Sequence, residues 1–274
     1  CAVLPRHVGA MLDALHELVA TFSIADRVPQ IEMAVGEDGT VLVFRHLLPF
    51  SAADESRLAD FADRHGVQVW VQPGQPDSAR LLHPQTAPAL RYTLPEFDLA
   101  LAFRPTDFTQ VNVHINRLLI RRAMQLLQPQ AGERIADLFC GIGPFALRLA
   151  EIAPVHAADS DRAGIAALDK AVRHTKGLKT VTAKARDLFR DPLTRFELNF
   201  DTIVLDPPRA GAQAQVKEIA ASKARHVVMI ACDPKSFARD AAMLVQAGFI
   251  LSDLVAVDQF AWSVHIELAA TFRR

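Results

Sequence analysis

The stretch Asp137-Leu138-Phe139-Cys140-Gly141-Ile142-Gly143-Pro144-Phe145 decides the fold. It follows an apolar segment with strand character and precedes a helical pattern. Glycine lets the backbone take positive φ and pass close to a ligand. In open α/β sheets, ligands bind at the carboxyl ends of the strands, which is where this turn lies. The sequence therefore predicts a nucleoside-cofactor site at Gly141 and its neighbours.

The residues after this turn alternate between strand and helix patterns. A helix is predicted over 110–127, and helical patterns separate the first six of the strands that follow. These strands are expected at 134–139, 154–159, 179–183, 201–205, 226–231, 248–256 and 264–272. Such alternation predicts a doubly wound α/β domain with parallel strands. The short connection between the last two strands predicts a hairpin, and hence an antiparallel strand at the sheet end.

The first hundred residues have a different texture. Apolar spacing of three and four predicts helices over 6–22 and 51–65, and strands are expected at 30–36, 40–45 and 67–72. This order suits a small α+β domain over residues 1–97, followed by the larger domain over 98–274.

Composition restricts the function classes. Half of the residues are apolar, and 30 basic residues stand against 31 acidic ones. The chain lacks the excess of basic residues that usually marks a nucleic-acid partner. It contains no apolar run long enough to cross a bilayer, and no signal peptide is recognised. Three scattered cysteines make no disulfide framework, so we expect a cytoplasmic protein.

The nature of the cofactor is left open by the turn alone. Asp159 ends the next strand, where a carboxylate can accept hydrogen bonds from both ribose hydroxyls. A nicotinamide site remains an alternative, since Ala146 at the third glycine position is tolerated there. Asp137 favours S-adenosylmethionine, because its sulfonium and amino groups gain from nearby carboxylates and a pyrophosphate would not. Cys140 is interpreted as a small buried hydrophobic residue.

Two later strand ends carry candidate chemistry. Asp206 is followed by Pro207-Pro208, a rigid turn facing the same crevice, although a plain strand-to-helix turn would look similar. Cys232 follows the next strand and precedes Asp233-Pro234-Lys235. A thiolate is the nucleophilic form of cysteine. Its place at a strand end favours a functional thiol over a structural one.

An acidic residue lies inside the last strand pattern. Glu267 is costly to bury in such an apolar segment unless it has a function, and burial would raise its pKa toward the range useful for proton transfer. The alternative is an edge strand that leaves the charge in water.

These segments together resemble the bacterial 23S rRNA (uracil-5-)-methyltransferase family, which is related to the tRNA uracil-5 methyltransferases. The matching residues are Phe108 to Asn112, Asp137 to Phe145, Asp206 to Gly211, Cys232 to Asp240 and His265 to Glu267. The resemblance implies a class I, Rossmann-like S-adenosylmethionine methyltransferase domain of α/β class. It also implies 23S rRNA as the partner, with no membrane and no protein partner.

The resemblance also implies residue roles. Cys232 would be the nucleophile that adds to C6 of uracil, and Glu267 the base that removes the C5 proton. Cys1 matches the last cysteine of a [4Fe–4S] cluster whose other ligands this chain lacks. The S-adenosylmethionine site would be lined by Gln110, Phe139, Gly141, Asp159, Asp187 and Asp206.

Two departures from the family pattern affect the expectations. Asp233 stands where the family has asparagine, which should raise the pKa of the thiol unless Lys235 or Arg239 offsets it. Pro144 replaces a residue that is often polar. Arg209 is expected to contact phosphate. Methylation of a tRNA uridine, cytosine-C5 methylation and RNA binding without catalysis stay open.

Overall fold

The computed structural model describes residues 4–94, 99–107, 113–258 and 265–274. The chain divides into two units, residues 1–93 with 102–108 and residues 94–101 with 109–274. The predicted domain boundary between residues 97 and 98 falls outside the described residues.

The first unit contains a four-stranded sheet in the order β1-β2-β3-β4, with β2 and β3 parallel. Its elements are α1 (Arg6–Gly9), α2 (Leu12–Ala20), β1 (Gln30–Gly36), β2 (Gly39–Arg45), α3 (Ala52–His65), β3 (Gln68–Gln72) and β4 (Arg80–His83). The helix predicted over 6–22 is thus divided in two. Strands β5 (Leu90–Leu94) and β6 (Leu99–Phe103) form a separate two-stranded sheet.

Helix α3 begins with a capping box. Ser51 accepts a hydrogen bond from the Asp54 backbone, and the buried Asp54 carboxylate accepts one from the Ser51 backbone. Burial alone would raise the pKa of Asp54, but hydrogen bonds from Ser23 and Ser51 lower it to about 2. The predicted start and the αL cap at Gly66 both follow from these local residues.

The second unit is a seven-stranded sheet in the order β12-β13-β11-β10-β7-β8-β9. Its elements are α4 (Val113–Leu127), β7 (Ile135–Leu138), α5 (Pro144–Ala150), β8 (Val155–Asp159), α6 (Arg162–His174), β9 (Val181–Ala185), β10 (Thr202–Leu205), α7 (Gln213–Ala220), β11 (His226–Ala231), α8 (Pro234–Gln246), β12 (Ile250–Val257) and β13 (Glu267–Arg273). The five strands β7 to β11 are parallel and lie in the order β9-β8-β7-β10-β11.

Two sequence predictions for this unit need correction. No helix separates β9 from β10; residues 186–201 form turns held by Arg186, which donates to Asp191, Glu197 and the Pro192 carbonyl. The antiparallel strand β13 is not at the sheet end, because it pairs with both β11 and β12 and leaves β12 at the edge.

Helix packing buries the sheet and brings the strand ends together. Helix α4 contacts β11 and β13, α6 contacts β8 and β9, and α8 contacts β11 and β12. Because β7, β8, β9, β10 and β11 are parallel, their carboxyl ends lie along one edge of the sheet, where the site is predicted.

Candidate active site

The glycine-rich turn connects β7 to α5 as predicted. The amides of Phe139 and Cys140 donate to the Ala158 carbonyl, which ties the turn to β8. Gly143 has φ +83°, and a Cβ there would lie 2.4 Å from Leu168 Cδ1. Any other residue here would strain the backbone and displace the Leu168 side chain. Cys140 is buried with its pKa well above the usual value, in agreement with the interpretation as a small hydrophobic residue.

Three predicted cofactor residues lie around this turn. Asp159 accepts hydrogen bonds from the amides of Gly141 (2.9 Å) and Asp161 (2.8 Å). The carboxylate can still accept further bonds, because each oxygen has two lone pairs. Phe139 has a left-handed φ of 63°, and its ring lies 5.4 Å from the half-exposed ring of Phe189, centroid to centroid.

Asp187 follows β9 at the same edge of the sheet. Its carboxylate accepts from the amides of Phe189 and Arg190, which folds the turn that presents the Phe189 ring. Phe189 was not among the residues predicted from the sequence. Its exposure beside the cofactor turn depends on this local fold, which no sequence motif signals.

Two carboxyl groups near the carboxyl ends of the strands, those of Asp137 and Asp206, have pKa values raised toward neutral pH. Burial raises the pKa of Asp137 to about 8, and the charge of Asp206 adds to the effect. Neither Asp137 oxygen has a hydrogen-bond donor at proper geometry within the described part of the chain. Burial also raises the pKa of Asp206 to about 7, with contributions from Glu267 and Asp159. This edge of the sheet thus holds several acidic side chains, and two of them are shifted toward the protonated form.

Cys232 and Glu267 come together through the pairing of β11 with β13. The last pair of that ladder is Ala231 with Leu268; Cys232 directly follows Ala231, and Glu267 directly precedes Leu268. The two residues are therefore neighbours at the end of the ladder, and the charge of Glu267 acts on the Cys232 thiol. Glu267 is 6% exposed and lies on an interior strand, which excludes the alternative of a charge on an edge strand in water.

The pKa values of this pair are raised. Burial raises the pKa of the Cys232 thiol, and the charges of Glu267 and Asp206 raise it further. Burial also raises the pKa of Glu267. The positive charge of Arg209 partly opposes these increases in both pKa values, and its guanidinium donates to the imidazole of His265.

The groups that shift the thiol pKa most are Glu267, Asp206 and Arg209, whereas the sequence pointed to Asp233, Lys235 and Arg239. Asp233 is the N-cap of α8, where it accepts from the Ser236 amide at 2.8 Å, and this hydrogen bond lowers its pKa. The cation that offsets the negative charge near the thiol is Arg209. Arg239 instead bonds Asp240 and the Ala210 carbonyl.

Several predicted residues lie outside the described part of the chain. They are Cys1, Gln110 and the rest of the 108–112 segment. Among residues 4–94, 99–107, 113–258 and 265–274, no group of three or more His, Cys, Asp or Glu is placed to hold a metal ion. Within the same ranges, no helix has the length and apolar character needed to span a membrane.

Comparison with known proteins identifies the family. A family model described as tRNA (Uracil-5-)-methyltransferase matches residues 91–274. The chain belongs to this family. The match covers the cofactor turn, the Cys232–Glu267 pair and all strands of the larger sheet, and it favours S-adenosylmethionine over the nicotinamide alternative.

Curated relatives of the uracil-5-methyltransferase family match the whole chain. The 23S rRNA (uracil(1939)-C(5))-methyltransferase RlmD of Azoarcus sp. (strain BH72) is 52% identical over 280 residues, covering 100% of this chain and 64% of that protein. RlmD of Burkholderia pseudomallei (strain K96243) is 46% identical over 289 residues, covering 100% of this chain and 61% of that protein. The resemblance seen in the sequence is confirmed. The chain spans less than two thirds of the length of these relatives.

Solved structures confirm the class I methyltransferase fold. The Pyrococcus abyssi tRNA (uracil-54, C5)-methyltransferase in complex with S-adenosyl-L-homocysteine aligns with a TM-score of 0.71 at 20% identity, covering 97% of this chain and 65% of that one. The M. jannaschii tRNA m1G37 methyltransferase aligns with a TM-score of 0.61 at 12% identity, covering 98% of this chain and 78% of that one.

Proposed function

We propose that this protein transfers a methyl group from S-adenosylmethionine to C5 of a uridine in 23S rRNA, through a covalent bond between Cys232 and C6 of the base. The observation that supports the proposal is that Cys232 and Glu267 each adjoin the last pair of β11 and β13, where the charges of Glu267 and Asp206 both act on the thiol. A nucleophile and a base that converge beside a cofactor site suit this reaction. The curated RlmD relatives support 23S rRNA as the substrate.

The residues at the strand ends fit S-adenosylmethionine. Asp137 is a fully buried carboxyl group whose oxygens have no donor at proper geometry among the described residues, and Asp206 adds a second raised pKa. A ligand that carries a sulfonium and an ammonium group would neutralise this region. Asp159, Gly141 and Phe139 would hold the nucleoside, and we retain Asp187 and Gln110 as further proposed contacts. When bound, the cofactor supplies an electrophilic methyl group.

The reaction needs the protein to make C5 of uracil nucleophilic. The Cys232 thiolate would form a bond to C6, and the electron pair of the C5–C6 double bond would make C5 an enolate carbon. After C5 is methylated, Glu267 would remove the C5 proton, and the C6–S bond would break to restore the double bond and release the thiolate. Arg209 would stabilise the anionic forms of both groups, since its charge lowers the pKa of each.

The target base must be reachable from above its ring. We propose that the uridine is single-stranded or flipped out of its stack, at a cost of a few kcal/mol. In this arrangement Arg209 acts on the reacting groups, and we propose no contact between Arg209 and phosphate. A ribosomal RNA substrate would place the reaction in the cytoplasm.

The iron–sulfur cluster is a separate proposal about the complete protein. Of the three cysteines in this chain, Cys140 is buried at the cofactor turn and Cys232 is at the reaction centre. Only Cys1 is left as a ligand, so the other ligands would have to come from outside these 274 residues. Iron and sulfide analysis of the complete, anaerobically purified protein would test this.

Nucleoside analysis tests the proposed function directly. Unmodified 23S rRNA and a tRNA transcript would each be incubated with the complete protein and S-adenosylmethionine, then digested and analysed by mass spectrometry. We expect 5-methyluridine from the 23S rRNA. 5-Methylcytidine, modification of the tRNA alone, or binding without any methylated product would each overturn the assignment and identify the alternative.

A further inference from the structure

Helix α8 holds the loop that carries Arg209. Arg239 Nη2 donates to the Ala210 carbonyl at 2.9 Å, and Arg239 Nε donates to Asp240 Oδ1 at 2.8 Å. Asp240 Oδ2 accepts a hydrogen bond from the Ala212 amide at 2.6 Å. Two adjacent residues of α8 thus bind the backbone of the loop on both sides of Gly211.

The Asp240 carboxylate is buried and held in one position by hydrogen bonds. Its side chain is 1% exposed, and each of its oxygens has a donor. Arg239 is 39% exposed, but removing it would leave the buried Asp240 carboxylate with one donor fewer, which is costly for a buried charge. The pair therefore fixes the loop more firmly than a surface ion pair would.

Gly211 shows how closely the loop approaches the helix. Its φ is +76°, and a Cβ at this position would lie 2.4 Å from Arg239 Nη2 and 2.5 Å from Asp240 Oδ2. The Gly211 amide also donates to the Pro208 carbonyl at 2.8 Å, which closes the turn around Arg209. Since the loop is rigid at Pro207-Pro208 and held at Ala210 and Ala212, the backbone of Arg209 has little freedom.

We propose that Arg239 and Asp240 are positioning residues that fix the loop from Asp206 to Ala212, and thereby hold the Arg209 guanidinium beside Cys232 and Glu267. This inference rests on the proposed function. Helix α8 begins two residues after Cys232 and also carries Arg239 and Asp240. One helix therefore begins directly beside the nucleophile and also carries the two residues that hold the Arg209 loop.

If this holds, Arg209 and Arg239 should affect the reactivity of Cys232 in the same way. Among the described residues, the charges that act most strongly on Cys232 are those of Glu267 on β13 and of Asp206 and Arg209 after β10, and the imidazole of His265 contacts Arg209. If Arg239 acts through Arg209, then removal of either arginine should move the same titration in the same direction, and removal of both should do no more than removal of Arg209.

The experiment is a double-mutant cycle on the rate of covalent adduct formation with 5-fluorouridine RNA, measured in the complete protein from pH 6 to 9. The variants are R209Q, R239Q and the double variant, with R173Q on the exposed end of α6 as the control. We expect R209Q and R239Q each to slow the reaction at pH 7 by about tenfold, to shift the midpoint of the rate profile upward by about one unit, and to leave the affinity for S-adenosylhomocysteine unchanged. The double variant should be within about twofold of R209Q.

The possible outcomes are distinct. Multiplicative effects in the double variant, or an R239Q profile with the wild-type midpoint, would overturn the positioning role. If R239Q does not fold, as judged by thermal unfolding, R239K carries the test: it keeps the charge next to Asp240 but not the forked geometry, so its midpoint should lie between those of the wild type and R209Q. A wild-type protein that forms no adduct would instead count against the proposed function.

Discussion

At the scale of single residues, the environment of Cys232 and Glu267 determines what each can do. The sequence placed a thiol and an acid at strand ends, and strand alternation was sufficient for that. The sequence could not predict that the charge of Arg209 acts on both groups, because the position of Arg209 depends on a loop held by Arg239 and Asp240 of a later helix. For the same reason the sequence assigned the offsetting charge to Lys235 or Arg239.

Substitution of Glu267 by glutamine tests its role as the base. The E267Q variant should still form the bond between Cys232 and C6, but it should not remove the C5 proton. Turnover should fall by about 10²- to 10⁴-fold, the usual contribution of a positioned base. A covalent complex with ordinary RNA should accumulate on a denaturing gel.

The exposed residue Glu17 on α2 offers a matched control, and E17Q should turn over like the wild type. Normal turnover by E267Q would assign proton removal to another group.

At the scale of secondary structure elements, local signals explain most of what was predicted. Strands β7, β8, β10 and β11 and the capped helix α3 follow from apolar pattern, glycine and capping residues. The segment between β9 and β10 was predicted wrongly because its apolar residues, such as Leu188 and Leu198, belong to the core of the sheet without forming a helix. The place of β13 between β11 and β12 depends on long-range pairing, which no local pattern encodes.

The turn between β7 and α5 allows a matched comparison of two glycines. Gly143 and Gly177 both have φ +83°, but only at Gly143 would a Cβ collide, with Leu168. G143A should therefore lose about 1–3 kcal/mol of stability more than G177A, since overpacking adds to the shared backbone strain. Urea unfolding measures the difference. Equal losses would show that the close approach to Leu168 carries no energy.

At the scale of the whole molecule, buried acids make stability depend on pH. The pKa of Asp137 is about 8 in the folded protein and near 3.8 in the unfolded chain. The folded state therefore retains a proton that the unfolded state has lost at intermediate pH. Stability from this group is complete below pH 3.8 and is lost as pH rises toward 8. Asp206, with a pKa of about 7, acts in the same direction.

The D137N variant should remove part of this dependence. Without cofactor, the Tm of the wild type should fall between pH 5 and pH 8, whereas that of D137N should fall less and exceed the wild-type value at pH 8. S-Adenosylmethionine should stabilise the wild type more at pH 8 than at pH 5, because it binds the charged form. D169N on the exposed face of α6 should behave like the wild type. A wild-type Tm that is constant over this range would contradict the role of Asp137.

The covalent role of Cys232 is tested by locating the residue to which 5-fluorouridine RNA becomes attached in the complete protein with S-adenosylmethionine. Fluorine at C5 cannot leave as a proton does, so the methylated base should stay bonded to the enzyme. We expect peptide mass spectrometry to find the nucleotide on Cys232, an adduct in the C140A variant and none in C232A. An adduct that persists in C232A, or one attached to another residue, would contradict the account.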